Sequence, residues 1–229
     1  MQTIAERLKL AHERIDQATA RSHRPSNSVQ LLAVSKTKPV SDIRQAYEAG
    51  QRLFGENYIQ EGVEKIQAMA EIDDIQWHMV GPIQSNKTRL VAEHFDWVQS
   101  VDRLKIARRL NEQRPSHLAP LNVCIQLNLD DEASKSGISA DELPALVEQI
   151  EGFENLRLRG IMAIPQADVT DAQQNDTLEQ LAELFGQYHT KLSNFDTLSV
   201  GMSGDLEAAV AHGSTMVRVG TAIFGARRG

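Results

Sequence analysis

The residues that could carry chemistry lie near the two ends of the chain. Leu31-Leu32-Ala33-Val34-Ser35-Lys36-Thr37-Lys38-Pro39 sets a lysine after an apolar run and before a proline-terminated turn. The run reads as a buried strand that ends on Lys36, with the lysine stem in apolar surroundings and its amine at the mouth. Burial and a neighbouring cation, here Lys38, both disfavour a charged ammonium, and an uncharged amine is the nucleophile that condenses with an aldehyde. Near the other end, Ser203-Gly204 immediately precedes a helical pattern, so that backbone N–H groups and a hydroxyl converge there. Gly220-Thr221 offers a second close backbone approach and a second hydroxyl. Taken singly, these features more readily describe a surface lysine, a serine cap and a strand-end glycine. Taken together, one amine and a two-loop phosphate cradle describe pyridoxal 5′-phosphate, which carries an aldehyde and a phosphate on one ring. Arg218, two residues before Gly220 and on the same strand face, is placed to reach the pyridine nitrogen, where such sites put an Asp or an Arg. Without that context it reads as a salt-bridged arginine.

The elements that must position these residues follow from periodicity. Ile4, Leu8, Ala11, Ile15 and Ala18 recur at three- and four-residue steps and predict an amphipathic N-terminal helix. Strands are predicted at Arg52–Asn57, Ile75–Pro82, Phe95–Val101, Leu121–Leu129, Leu156–Ile164, Thr197–Met202 and Met216–Gly220, after the first at Lys36. Helical patterns alternate with them: one opening at Ser41-Asp42-Ile43, one interrupted by Gly62, one capped by Asp102, and one from Asp141 to Ile150. Pro165–Asn175 is the most polar connection and reads as a mobile loop. Eight alternations without a break in composition predict one α/β domain over residues 1–229. That domain is a single (β/α)8 TIM barrel with an extra N-terminal helix; an open doubly wound sheet is the alternative. In such barrels the active site lies at the C-terminal ends of the strands, with phosphate held after strands seven and eight. Lys36, Asn57, Ser203, Gly204, Gly220 and Thr221 all fall there.

Composition narrows the function classes. A formal net charge of -7 disfavours non-specific nucleic-acid binding. The one cysteine, Cys124, lies inside an apolar run and fits a buried thiol in a reducing compartment. Six charged residues among the first sixteen leave no apolar signal segment, and no run is long enough to span a membrane. A cytoplasmic protein is expected. The seven histidines show no metal-ligand spacing, so no metal is expected, and His78 reads as a satisfied structural histidine. Tyr58 reads as packing. Lys38, Lys87, Arg89 and Lys135 are placed on loops after strands, where a cationic mouth would attract a phosphate and Lys135 would offer a second amine.

The segments LLAVSKTKP, FGENYIQE, WHMVGPIQSNK, SKSGI, LRGIMAIP, LSVGMSGDLEAAV and GSTMVRVGTAIFG together resemble the pyridoxal phosphate homeostasis protein family, over nearly the whole chain. The resemblance implies a fold-type III-like barrel similar to the N-terminal domain of alanine racemase. It implies pyridoxal phosphate as a Schiff base on Lys36, Asn57 beside it, Ser203, Gly204, Gly220 and Thr221 at the phosphate, and Arg218 facing the ring nitrogen. The tail Ala226-Arg227-Arg228-Gly229 departs from the family, where an acidic residue and an aromatic are expected. Two functions are compatible with such a site: an amino-acid racemase or lyase, and a carrier that sequesters the aldehyde and supplies it to apo-enzymes. An arginine at the ring nitrogen weakens the ring as an electron sink, although alanine racemase works with one. Racemisation also needs an acid–base group on each face of the α-carbon, and in alanine racemase the tyrosine for one face comes from a second domain. The carrier is therefore the expectation, with no catalytic residues, and the family is described as lacking catalytic activity. With no long exposed apolar surface evident, a monomer is expected.

Overall fold

The computed structural model describes residues 2–130 and 136–226. Eight strands run parallel: β1 (Gln30–Val34), β2 (Leu53–Glu56), β3 (Gln76–Met79), β4 (Trp97–Val101), β5 (Leu121–Leu127), β6 (Leu156–Ala163), β7 (Thr197–Ser199) and β8 (Met216–Val219). They close in sequence order, β8 pairing back onto β1 with Leu32 opposite Arg218 and Ala33 opposite Val219. The closed barrel is the expected (β/α)8 architecture and sets aside the open sheet. Helices alternate with the strands: α1 (Ile4–Arg21), α2 (Val40–Glu48), α3 (Ile59–Ala68), α4 (Thr88–His94), α5 (Leu104–Gln113), α6 (Leu143–Glu151), α7 (Asp171–His189), α8 (Leu206–Ala211) and α9 (Thr221–Phe224).

Strand alternation divides the core in two. Leu31, Ala33 and Phe54 face outward into the apolar layer between barrel and helices, which also takes Ile43, Val63 and Phe95. The lumen holds Leu32, Val80 and Met216 near one another, and a second group of Trp97, Cys124 and Met162. Close backbone approach explains two glycines. A Cβ at Gly81 would stand 2.1 Å from the Asn57 carbonyl oxygen, and one at Gly62 would stand 2.6 Å from the Phe95 ring, so Gly62 packs within α3 and does not interrupt it.

Helix α1 begins as its pattern requires. Thr3 and Glu6 form a reciprocal capping box, and Ile4, Leu8, Ala11, Ile15 and Ala18 are buried, packing the helix against α8, α9 and α2. Several expected boundaries move. Strand β1 ends at Val34, and Lys36 lies two residues further, in a turn. Helix α2 starts before Ser41, because the Pro39 carbonyl accepts from the Asp42 N–H at 3.0 Å. Asp102 does not cap α5; its carboxylate accepts from the Gly137 N–H at 3.2 Å. The polar connection after β6 is shorter than expected, because Thr170 and Gln173 form a capping box that starts α7 at Asp171.

Candidate functional site

The C-terminal strand ends gather the expected residues from both ends of the chain. β1 and β8 are neighbours in the barrel, which brings the Lys36 turn beside Gly220-Thr221. The Ser35 N–H still donates to the Gly55 carbonyl at 2.9 Å, so the strand alternation continues past Val34. Ser35 therefore faces outward and Lys36 shares the inward side of Leu32 and Val34. Lys36 is half-buried, and its amine has no hydrogen-bond or ion-pair partner among the described residues. Lys38 is not a neighbouring free cation: it is buried, and its Nζ donates to the Gly225 and Ala226 carbonyls at 2.8 Å each. Arg89 is not on a loop either; it lies in α4, 3.8 Å from Glu93.

Two turns offer backbone N–H groups. Gly220 precedes α9 at its N-cap, with Thr221 exposed at the first helical position, and the first N–H groups of a helix have no acceptor within it. A Cβ at Gly220 would come within 3.2 Å of the Val34 carbonyl, a tight contact that a small shift of the turn away from β1 would have to relieve. Ser203 and Gly204 are exposed, and open space surrounds the position of a Cβ at Gly204. The N-cap of α8 is Asp205 and not Ser203; its carboxylate accepts from the Met202 N–H at 2.7 Å and so shapes the turn. Arg14 of α1 braces the same turn, donating to the Ser203 carbonyl at 2.8 Å and to Glu207 at 2.7 Å.

Arg218 is buried in the lumen below these turns. Its guanidinium donates to the Ser199 carbonyl (2.9 Å), the Ser199 hydroxyl (2.7 Å) and the Ala163 carbonyl (2.8 Å). Burial lowers its pKa to about 10, against the raising effect of Asp205, so it remains a cation at neutral pH. The chain of contacts continues: Ser199 Oγ donates to Gln99 Oε1 at 2.6 Å, and Gln99 Nε2 lies 2.9 Å from His78 Nδ1. An amide N–H donating to Nδ1 leaves the ring proton on Nε2, which is buried without a partner among the described residues. His78 stacks on Trp97 at 4.8 Å, and burial, helped by the charge of Arg159, drives its pKa down to about 3. It is a neutral histidine satisfied at one nitrogen only.

Asn57 follows β2 at the edge of a cavity of about 270 Å³ that Gly81, Gln126, Asn128 and Ile164 also line. Tyr58 is not packed: it precedes α3, is 51% exposed, and its hydroxyl makes no hydrogen bond among the described residues. Cys124 is fully buried, and burial pushes its thiol up to about 12, as a structural thiol requires. Lys135 and Arg227-Arg228-Gly229 lie outside the described residues. Three features carry no signal in the local sequence: Ser199 as the anchor of Arg218, Arg14 as the brace of the Ser203 turn, and the exposure of Tyr58. Inward alternation along β7 and β8 is the signal that could have paired Ser199 with Arg218.

The donor set fits a phosphorylated aldehyde: an amine without a partner, two glycine-containing turns with free N–H groups and hydroxyls, and a cation fixed between them. No cluster of metal-ligating side chains occurs among the described residues, and no described helix is long and apolar enough to cross a membrane.

The family model of the alanine racemase N-terminal domain matches residues 10–228. A pyridoxal phosphate homeostasis protein of Haemophilus influenzae is 55% identical over 227 residues, covering 98% of this chain and 96% of its own. One from Escherichia coli is 53% identical over 229 residues, covering 99% and 98%. Among solved structures, PipY of Synechococcus elongatus with pyridoxal phosphate bound superposes with a TM-score of 0.81 at 37% identity, over 97% of this chain and 100% of that one. Alanine racemase from Corynebacterium glutamicum shares the fold, with a TM-score of 0.69 at 15% identity over 97% of this chain and 60% of that one.

Proposed function

We propose that this chain, which belongs to the pyridoxal phosphate homeostasis protein family, binds pyridoxal 5′-phosphate and takes part in keeping that cofactor available in the cell. The observation that carries the reading is the Lys36 amine, without a partner among the described residues, in the turn after β1 and next to the Gly220 turn that follows β8. Support also comes from PipY, a relative solved with pyridoxal phosphate bound. The aldehyde supplies a carbon that a lysine amine attacks, forming a C=N bond with release of one water.

Each residue of the site has a role in this reading. Lys36 provides the amine, and its inward orientation sets the direction of attack. The Ser203, Gly204 and Thr221 groups hold the phosphate through N–H and O–H donors, and Gly220 allows the backbone to approach β1. Arg218, held by Ser199 and Ala163, would present a fixed positive charge to the ring nitrogen and disfavour its protonation. Asn57 contacts the ligand from β2. Residues 1–229 act as one cofactor-binding domain.

The same arrangement favours holding over turnover. The curated relatives are named for homeostasis and not for a reaction. Tyr58, the tyrosine that follows β2, is exposed and makes no hydrogen bond among the described residues, whereas a general base must be held within reach of the proton it takes. We read the protein as a non-catalytic cytoplasmic monomer that delivers the cofactor to apo-enzymes. The test is to load the purified protein with pyridoxal phosphate and follow its absorbance, its transfer to an apo-transaminase and its action on alanine enantiomers. Loading with transfer and no racemisation is expected. Failure to load refutes the site, and racemisation at an enzyme's rate refutes the carrier role.

A further inference from the structure

Behind the turn that carries Lys36, on the outer side of the barrel, lies an ionic cluster, buried at Glu56 and Lys65 and half-buried at Glu61, that the cofactor site does not use. Lys65 of α3 is 7% exposed at its side chain and Glu56 of β2 is 0% exposed. The Lys65 Nζ donates to Glu56 Oε1 (2.7 Å), Glu61 Oε1 (2.7 Å) and the Ser35 carbonyl (2.8 Å). Ser35 Oγ donates to the same Glu56 oxygen at 2.9 Å, while the other oxygen of Glu56 is buried without a partner among the described residues. Glu61 Oε1 also accepts from the Thr37 N–H at 2.6 Å. The residues on either side of Lys36 are thus both tied to α3.

What the cluster holds is a strained bend. Thr37 has φ of 63°, a left-handed conformation that is a genuine outlier for a β-branched residue. Such a conformation persists only where its surroundings over-determine it. Here the Glu61 carboxylate fixes the amide of Thr37 and Lys65 fixes the carbonyl of Ser35. The bend turns the chain sharply after β1 while Lys36 stays on the inward side.

We infer that Glu61 and Lys65 are positioning residues for Lys36: they hold the left-handed bend at Thr37 that keeps the amine at the barrel mouth. They touch no ligand and act through the backbone on either side of Lys36. This rests on the reading of Lys36 as the cofactor's anchor. Without Glu61, Thr37 relaxes to negative φ and the amine reaches the productive geometry in a small fraction of molecules. A residue without a Cβ takes the left-handed bend unaided.

The experiment compares wild type, Glu61→Ala, Glu61→Gln, and Glu61→Ala with Thr37→Gly, mixing each with pyridoxal phosphate and following the absorbance of the bound form by stopped flow. Thermal unfolding is recorded for each. Glu61→Ala is expected to slow capture about ten-fold, equivalent to about 1.4 kcal/mol. Glu61→Gln, which retains an oxygen for the Thr37 N–H, is expected to stay within about two-fold of wild type, a change of about 0.4 kcal/mol. The added Thr37→Gly is expected to recover most of the loss without raising Tm, which a general loss of stability would not allow. If wild type captures the ligand and Glu61→Ala does so equally fast, or if Thr37→Gly restores nothing, the positioning role is overturned. If wild type fails to capture it, the cofactor reading falls first. Should Glu61→Ala not fold, Thr37→Pro replaces it, since proline has neither the N–H nor access to positive φ; rapid capture by a folded Thr37→Pro protein overturns the inference.

Discussion

Replacing Lys65 with methionine removes the cation that faces Glu56 across a distance of 2.7 Å in a site closed to water. Three hydrogen bonds vanish, to Ser35, Glu56 and Glu61, and Glu56 keeps only the Ser35 hydroxyl. Breaking a buried pair by deleting one partner costs about 3–5 kcal/mol, because a charge stays behind without compensation. For a chain of this size each kcal/mol moves Tm by about 2–4 °C, so Lys65→Met is expected to melt roughly 10 °C lower near pH 8. The sign of the pH dependence follows from Glu56. Burial raises its pKa above the ordinary 4.5, with Lys65 opposing that rise in the native protein. In the variant the opposition is gone. A carboxyl whose folded pKa lies above its unfolded value gives stability that is full below the unfolded value and is lost as pH rises through the folded one. The deficit of Lys65→Met therefore shrinks towards pH 5 and grows towards pH 8, and adding Glu56→Gln removes most of that pH dependence. Differential scanning calorimetry of the three proteins at both pH values measures it. A Tm within about 2 °C of wild type at pH 8, under about 1 kcal/mol, would refute the reasoning, as would a deficit that does not change with pH.

Two further outcomes are expected. Gly81→Ala places a Cβ against the Asn57 carbonyl, at 2.1 Å in the unrelaxed structure. Asn57 must shift, and fluorescence titration is expected to show about ten-fold weaker pyridoxal phosphate binding, a loss of about 1.4 kcal/mol. His78 has a pKa of about 3 in the fold against an ordinary 6.5. Its contribution to stability is therefore complete above pH 6.5 and falls by about 1.4 kcal/mol for each pH unit below that. Thermal melts of wild type and His78→Gln are expected to converge between pH 7.5 and about 5.5 by roughly 4 °C.

The architecture was legible because parallel barrel strands are short apolar runs between helical patterns, and each of the eight could be placed from its own residues. The extra helix was equally plain, since Ile4, Leu8, Ala11, Ile15 and Ala18 form one stripe that is buried as read. Element ends were less so. The alternation that orients Lys36 outlasts the strand by one residue through a single backbone bond to Gly55, and no residue type announces that. The juxtaposition of Lys36 with Gly220 and Thr221 was legible for a physical reason: barrel topology brings strands one and eight together, so residues far apart in sequence must be neighbours. Its supports were not. Glu61 and Lys65 sit four residues apart on α3, a spacing common to solvated helix pairs; the packing of α3 on β2, where Gly62 meets Glu56 and Phe95, buries Lys65 and half-buries Glu61. The path from Arg218 through Ser199 and Gln99 to His78 joins four strands across the lumen, beyond the reach of any local pattern. Lys38 misled because a lysine next to another suggests a charged mouth, whereas carbonyl groups after α9 take it up.

The measurement that bears most directly on the central claim is peptide mass spectrometry of the protein incubated with pyridoxal phosphate and treated with borohydride, which reduces the C=N bond and fixes the ligand to its lysine. A single phosphopyridoxyl addition on the peptide containing Lys36, absent from the Lys36→Ala variant, is the predicted result. Absence of that addition, or its full recovery on Lys38 or another lysine in the wild-type protein, would contradict the account.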